Sequence, residues 1–422
     1  MGGLAASVAG SAVARRLGKS FGTEEQRQEA FRDSLVHNAE RVVRTMGEMK
    51  GAAMKVGQML SVAPEALPRE FLEQLKSLQQ DSPPMPFAMV SDEIEQALSR
   101  PLVDVFHYFE PEPVGAASIG QVHRARLFDG REVAVKVQYP GIADTLDSDL
   151  DNLRSLLSVG RVVGGKDVLD GFHAEIKEGL LDEANYATEA RNLSEFGAIL
   201  EKHPQVVVPK VIEEFSNDRV LTMEYLDGVK LDVALDAMDT EERNATGMLF
   251  SELFVWMFHE EHVLHADPHP GNFLIMPDGR IGVLDFGCMR RYDPEFTDGW
   301  IDILVAKWNR EPHRLPSIFE RLGYAGMGNA TPATAEQLDE LCDIILQPFL
   351  YDGPFNWGQW HPERELERFV RGNLNLIRYA APPRAVFYFR VAAGVWGLLQ
   401  RSQIAGNWYR VGREMAEKRG RL

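Results

Sequence analysis

Asp267, Asn272 and Asp285 are the residues whose types and spacing could do chemistry most directly. The first two belong to His265-Ala266-Asp267-Pro268-His269-Pro270-Gly271-Asn272, and the third opens Asp285-Phe286-Gly287. Phosphoryl transfer needs an Asp to orient the attacking hydroxyl and an Asn shortly after it to hold magnesium. It also needs a second Asp, beyond a short hairpin, to bridge metal and phosphates. The prolines and glycine between Asp267 and Asn272 stiffen the loop, so carboxylate and amide keep a fixed aim. Either motif alone fits an ordinary turn. Both together, in this order around a hairpin, point to ATP and Mg2+ as cofactors.

A phosphate-binding lysine should then lie upstream. Val133-Ala134-Val135-Lys136 follows the turn Phe128-Asp129-Gly130. Strand alternation puts Val133, Val135 and Val137 on one face and Ala134, Lys136 and Gln138 on the other. Ala134 is small enough to leave room for an adenine ring, and the Lys136 ammonium reaches phosphates. Such a lysine needs a carboxylate from the helix that follows; Glu189 is the candidate, a solvated helix glutamate being the plain alternative. Ala116, Ala117 and Ser118 stand where a G-x-G-x-x-G loop would cradle the nucleotide, and their methyls should change how it sits. Glu224 and Tyr225 complete the expected nucleotide-binding set. Ala266 replaces the usual catalytic-loop Arg, and His269 stands where kinases acting on serine often carry a lysine. No Ala-Pro-Glu follows Gly287, so there is no recognisable activation segment.

These residues need elements to hold them. Residues 119–126 and 132–138 read as strands about the Asp129-Gly130 turn, followed by a helix over about 169–200 and strands at 205–212 and 219–226. Beyond Asp227 helices dominate, interrupted by a hairpin of 273–276 and 281–284 about Pro277-Asp278-Gly279. Upstream, Val42, Val43, Met46, Met49, Val56, Met59 and Leu60 recur at helical spacing until Pro64 and Pro68, and helices are expected at 70–79 and 91–98. The expected architecture is α+β: a divergent protein-kinase-like two-lobed fold with an added N-terminal helical module. Its parts are an extension over 1–30, the helical module over 31–105, an N-lobe over 106–226 and a helical C-lobe over 227–422.

The 422 residues carry a formal charge of −18, which argues against a nucleic-acid partner. Two cysteines, Cys288 and Cys342, cannot build a disulfide framework and fit a reducing compartment. The first 22 residues contain Arg15, Arg16 and Lys19 and no acid, leaving three readings: a floppy terminus, a membrane-surface helix or an organellar targeting segment. The apolar run 385–399 is interrupted by Arg390 and reads as a buried helix, so the chain is expected to be cytoplasmic, with any membrane contact peripheral.

With Lys55-Val56-Gly57-Gln58, the alanine-rich loop, Val133–Lys136, Tyr186–Ala190, the 265–272 loop and Asp285-Phe286-Gly287, the sequence resembles the UbiB family of atypical kinases. That group is associated with coenzyme Q and isoprenoid-lipid metabolism. The resemblance implies a lipid-stimulated ATPase or small-molecule kinase with little protein-kinase activity, and an isoprenoid or quinone-type lipid or membrane surface as partner. It carries over Lys136 as the phosphate lysine, Glu189 as its partner, Asp267 as the catalytic acid, and Asn272 and Asp285 as metal ligands. Lys55 and Gln58, with Glu183 as an acid to meet them, become a gate folded over the active site. From the residues alone, Lys55 and Gln58 share a helix face, and Gly51 and Gly57 each cost ~1 kcal/mol relative to Ala, which suggests close approach by another segment. A packed helix with a surface lysine is the plain alternative. The chain departs from the family at Asn185, where an Asp is usual, and at Gly115, where an Ala is usual. Rival readings are an ordinary protein or small-molecule kinase and a nucleotide-sensing, pseudokinase-like scaffold.

Overall fold

Valine at every second position of 133–137 sets the core of the first of two compact units. A computed structural model describes residues 84–117, 119–141, 184–326, 332–373, 376, 379–382 and 384–422. One unit takes the chain up to Ser194 together with Pro209–Tyr225; the other takes Glu195–Val208 and Leu226–Leu422.

In the first unit, helix α1 (Phe87–Leu98) precedes strands β1 (Phe106–Phe109), β2 (Gly115–Ala117), β3 (Gly120–Leu127), β4 (Glu132–Gln138) and β6 (Val220–Glu224). The intervening β5 (Val206–Val207) belongs to the second unit. The sheet order is β1-β3-β4-β6, with β2 paired to β3, and every pairing is antiparallel. Gly130, at positive φ, lets the Asp129-Gly130 turn close β3 onto β4. Val133, Val135 and Val137 are fully buried in a cluster with Val90 and Ile94 of α1, Phe106 and Leu127. Each such valine contributes ~1.5–3 kcal/mol relative to exposure. The helix expected over 91–98 thus starts earlier, at Phe87, and covers one face of the sheet. The opposite face of β4, with Ala134, Lys136 and Gln138, is buried as well.

The strand expected over 205–212 is largely overturned: only β5 forms, because Pro209 has no N–H to continue a ladder. Residues 169–183 of the expected long helix lie outside the described residues; from there α2 (Tyr186–Leu200) runs on.

The second unit is mainly helical. Its small sheet has the order β5-β10-β9-β7, with β7 at Val229–Lys230, β9 at Phe273–Ile275 and β10 at Ile281–Val283, and β8 (Val263–His265) and β11 (Met289–Arg291) form a separate two-stranded pair. The hairpin of β9 and β10 is the one its Asp278-Gly279 turn requires. Helix α3 (Thr240–His259) begins where the Asp239 carboxylate accepts from two backbone N–H groups, a strong N-cap. Helix α4 (Pro294–Trp308) starts at an Asp293 cap, and α5 (Ala385–Arg401) and α6 (Trp408–Lys418) follow. Asp298 of α4 accepts from Arg419 and Arg421, which anchors the last turn of the chain. Burial would raise the Asp298 carboxyl, but these two guanidiniums hold it below its ordinary value. Among the described residues, no helix is long and apolar enough to cross a membrane.

Candidate active site

Helix α2 starts where it does because Asn185 caps it. The Asn185 side-chain oxygen accepts from the N–H groups of Ala187 and Thr188 at 3.0 and 3.2 Å. An Asn does this as well as an Asp, so the departure at this position preserves the helix start. Two further contacts fix that start against the sheet. Gln138 of β4 donates to the carbonyls of Ala184 (2.6 Å) and Asp218 (3.1 Å), and Tyr186 N–H donates to the Asp218 carbonyl. Gly120 permits the close approach: a Cβ there would come within 2.1 Å of the Val137 carbonyl and 2.6 Å of the Tyr186 hydroxyl.

Glu189 therefore sits in the first turn of α2, where the helix dipole favours its charge. Lys136 Nζ donates to both of its carboxylate oxygens, at 2.8 and 2.7 Å. Lys136 is 4% exposed and Glu189 1%, so the pair is closed to solvent. The ammonium also lies 5.0 Å from the Tyr186 ring centroid.

Other predicted nucleotide residues share this unit. Ala134 is buried next to Lys136 on β4. Glu224 ends β6 and accepts from the Lys210 N–H, and Tyr225 carries the Arg124 guanidinium 4.6 Å over its ring. Ala116 and Ala117 lie on β2, while Ser118 lies outside the described residues. A Cβ at Gly115 would meet nothing within 4 Å, so the alanine usual at that place would fit. Lys55, Gln58 and Glu183, the expected gate, all lie outside the described residues.

Sequence reasoning missed a buried polar network in the same unit. Gln121 accepts from Met85 N–H at 2.8 Å and donates to His123 Nε2 at 2.9 Å, while His123 Nδ1 meets the Glu110 carbonyl at 2.9 Å. That arrangement fixes the neutral Nδ1–H tautomer. Burial pushes the His123 pKa down, against the upward pull of the Glu110 carbonyl. The signal was weak: two polar residues on a strand whose neighbours are apolar.

In the second unit, the catalytic-loop candidates come together around His265. Asp267 N–H donates to His265 Nδ1 (3.3 Å), so the ring proton sits on Nε2 and is donated to the Asp285 carbonyl at 2.5 Å. One imidazole thus ties both acidic segments. Asn272 Nδ2 donates to the Asp267 carbonyl (3.2 Å), and Leu284 N–H to the Asn272 carbonyl (3.0 Å). The Asp285 carboxylate accepts from Gly287 N–H at 2.8 Å. Arg390, which the sequence presented only as an interruption of an apolar run, donates to Asp267 Oδ1 at 3.0 Å. After Gly287 the chain pairs at once: Met289 opposes His265 and Arg291 opposes Val263, and α4 begins at Pro294. No length remains there for an activation segment.

Magnesium suits the donors. Asn272 spends its amide nitrogen on Asp267, which turns its oxygen elsewhere, and Asp285 offers a carboxylate; both oxygens are of the hard type that magnesium takes. Among the described residues no three His, Cys, Asp or Glu gather as a metal cage. An ion held by one or two protein oxygens plus substrate phosphates needs none.

The family described as "ABC1 atypical kinase-like domain" matches residues 77–318. The chain is 30% identical over 402 residues to a Caenorhabditis elegans protein named "Atypical kinase coq-8, mitochondrial", covering 92% of this chain and 52% of that protein. It is 32% identical over 377 residues to a Rattus norvegicus protein named "Atypical kinase COQ8B, mitochondrial", covering 87% of this chain and 70% of that one. The chain spans about half the length of several curated relatives that it matches. Among solved structures, the complex of Rv3197 with erythromycin from Mycobacterium tuberculosis superposes with a TM-score of 0.63 at 29% identity, covering 92% of this chain and 98% of that one.

Proposed function

Because this chain belongs to the UbiB type of ABC1 atypical kinases and has their kinase-like fold, we propose that it binds Mg-ATP and either hydrolyses it or passes its terminal phosphate to a small molecule. The observation that carries this reading is the buried, two-pronged Lys136–Glu189 pair. A strand lysine closed in by a helix glutamate is what phosphate positioning requires, and such burial of charge is too costly to keep as a surface ornament. In this reading Lys136 holds phosphate oxygens, and Ala134, Ala116, Ala117, Ser118, Glu224 and Tyr225 frame the nucleotide. Asn272 and Asp285 hold magnesium, which when bound offsets phosphate charge. Asp267 orients the attacking hydroxyl, of water or of an acceptor.

The short path from Gly287 to Pro294 supports a small acceptor, since a peptide would need a docking segment. We further propose an isoprenoid or quinone-type lipid setting with peripheral membrane contact, on the strength of the family resemblance. Lys55, Gln58 and Glu183 remain the proposed gate over the site.

Isothermal titration of Mg-ATP with the wild type and Asp285→Asn, alongside ATP turnover, tests the reading. Asp285→Asn should weaken magnesium-dependent binding or turnover at least tenfold, about 1.4 kcal/mol. Wild-type affinity and rate in that variant would sink the metal assignment. Tight binding without turnover in the wild type would leave a nucleotide-sensing scaffold.

A further inference from the structure

Ala266 occupies, fully buried, the place beside Asp267 where a kinase catalytic loop ordinarily carries Arg. A cation nevertheless reaches Asp267, from 123 residues further on: Arg390 Nη2 lies 3.0 Å from Asp267 Oδ1. The Arg390 side chain is 7% exposed and that of Asp267 14%. Two observations argue that α5 is built to deliver this contact. Gly394 lies one helical turn after Arg390, on the same face. A Cβ on Gly394 would come within 2.4 Å of Pro268 Cγ, so the helix backbone touches the loop at the residue next to Asp267. In addition, among the described residues Arg390 Nη1 is buried without a hydrogen-bond partner, so the guanidinium is not the centre of a network of its own there. A buried donor left unsatisfied is a cost that proteins keep where a site needs it.

We propose that Arg390 is the positioning residue for Asp267: α5 supplies, from a distant part of the same chain, the cation that Ala266 cannot, and thereby fixes the carboxylate that accepts the hydrogen bond of the attacking hydroxyl. This rests on the reading of Asp267 as the catalytic acid. Arg390 also falls beyond the family match, which ends at residue 318, so the helices that follow it are part of the working site.

The test is magnesium-dependent ATP turnover by the full chain, with Arg390→Gln, which keeps a donor but no charge, and Arg390→Lys, which keeps the charge. If Arg390 fixes Asp267, Arg390→Gln lowers kcat about tenfold or more while the KM for ATP stays within about twofold, and Arg390→Lys recovers part of the loss. A Gln variant with wild-type kcat overturns the proposal. So does equal loss in both variants together with loss of the nucleotide-induced thermal shift, which would mark a purely architectural role. Asp267→Asn separates the two layers of the argument. If it turns over ATP like the wild type, the catalytic reading itself fails and Arg390 falls with it. If it is inactive while Arg390→Gln is unimpaired, only the Arg390 proposal fails.

Discussion

The two units hold their charged residues by different means. In the first, Lys136 and Glu189 satisfy each other inside the fold, and the protein supplies both charges. In the second, the loop that carries Asp267 and Asn272, and Asp285 after it, are aimed largely by main-chain groups: the carbonyls of Asp267 and Asp285, the N–H of Gly287 and the backbone-bonded ring of His265, with Arg390 adding a cation at the Asp267 carboxylate. A site made of mutually buried charges is fragile as structure. A loop aimed largely by its own backbone keeps its shape when a carboxylate such as that of Asp285 is changed, and is fragile mainly as chemistry.

The largest effect should come from breaking the first arrangement. Glu189→Ala removes the carboxylate that accepts from a buried ammonium and should cost ~3–5 kcal/mol, read as a lower urea midpoint. The double variant Lys136→Met/Glu189→Leu should recover most of that stability yet give no thermal shift with Mg-ATP. If the single variant unfolds no earlier than Asp285→Asn does, the contrast between the units is wrong.

A smaller loss is expected at the contact between α5 and the loop. Gly394→Ala places a methyl against the rigid Pro268 ring and should cost ~1–3 kcal/mol, with turnover falling by more than the stability loss explains. An undiminished rate at equal stability would show that loop geometry tolerates displacement, against the backbone-aiming argument.

The smallest effect concerns pH and belongs to the first unit. Burial keeps His123 neutral, so its folded pKa lies below the ordinary 6.5. Between those two values the unfolded chain binds the proton and the folded chain does not, so stability is full above 6.5 and falls as pH drops toward the folded value. His123→Gln should flatten the slope of stability just below pH 6.5. An unchanged slope would assign the acid loss to carboxylates such as Asp298.

What could be read in advance was local. Both Asp-Gly hairpins, the alternation of β4 and the spacing of Asp267, Asn272 and Asp285 are written in residues near one another, where turn chemistry and strand period act directly. The kinase-like fold followed from their order. The Asn185 cap was not legible from the family pattern, which marks that position by charge, whereas capping needs only a side-chain oxygen that an amide supplies equally well. Arg390 was seen only as a break in an apolar run. A lone arginine in such a run calls for a buried carboxylate, but nothing local says which, since its partner is a tertiary contact 123 residues away. The 205–212 segment failed for another reason: β-branched residues favour a strand, but Pro209 splits it, so that Val206 and Val207 pair with β10 while Val211 makes only an isolated bridge to Met223 of β6.

Cys288 and Cys342 are both buried and neither forms a disulfide. Burial pushes the Cys342 thiol up to about 12, so at neutral pH it offers almost no thiolate to a reagent. A thiol sealed in this way is labelled only when its surroundings open, and its labelling rate becomes a clock for that opening. Cys288 follows Gly287 directly, and its carbonyl receives the Ala266 N–H, so it times openings of the loop pair that carries Asp267 and Asp285. Cys342 lies in the helix Ala335–Ile345 and times openings of the helical scaffold. The ratio of the two rates in a single sample measures how much more often the chemical end of the unit breathes than the scaffold that carries it.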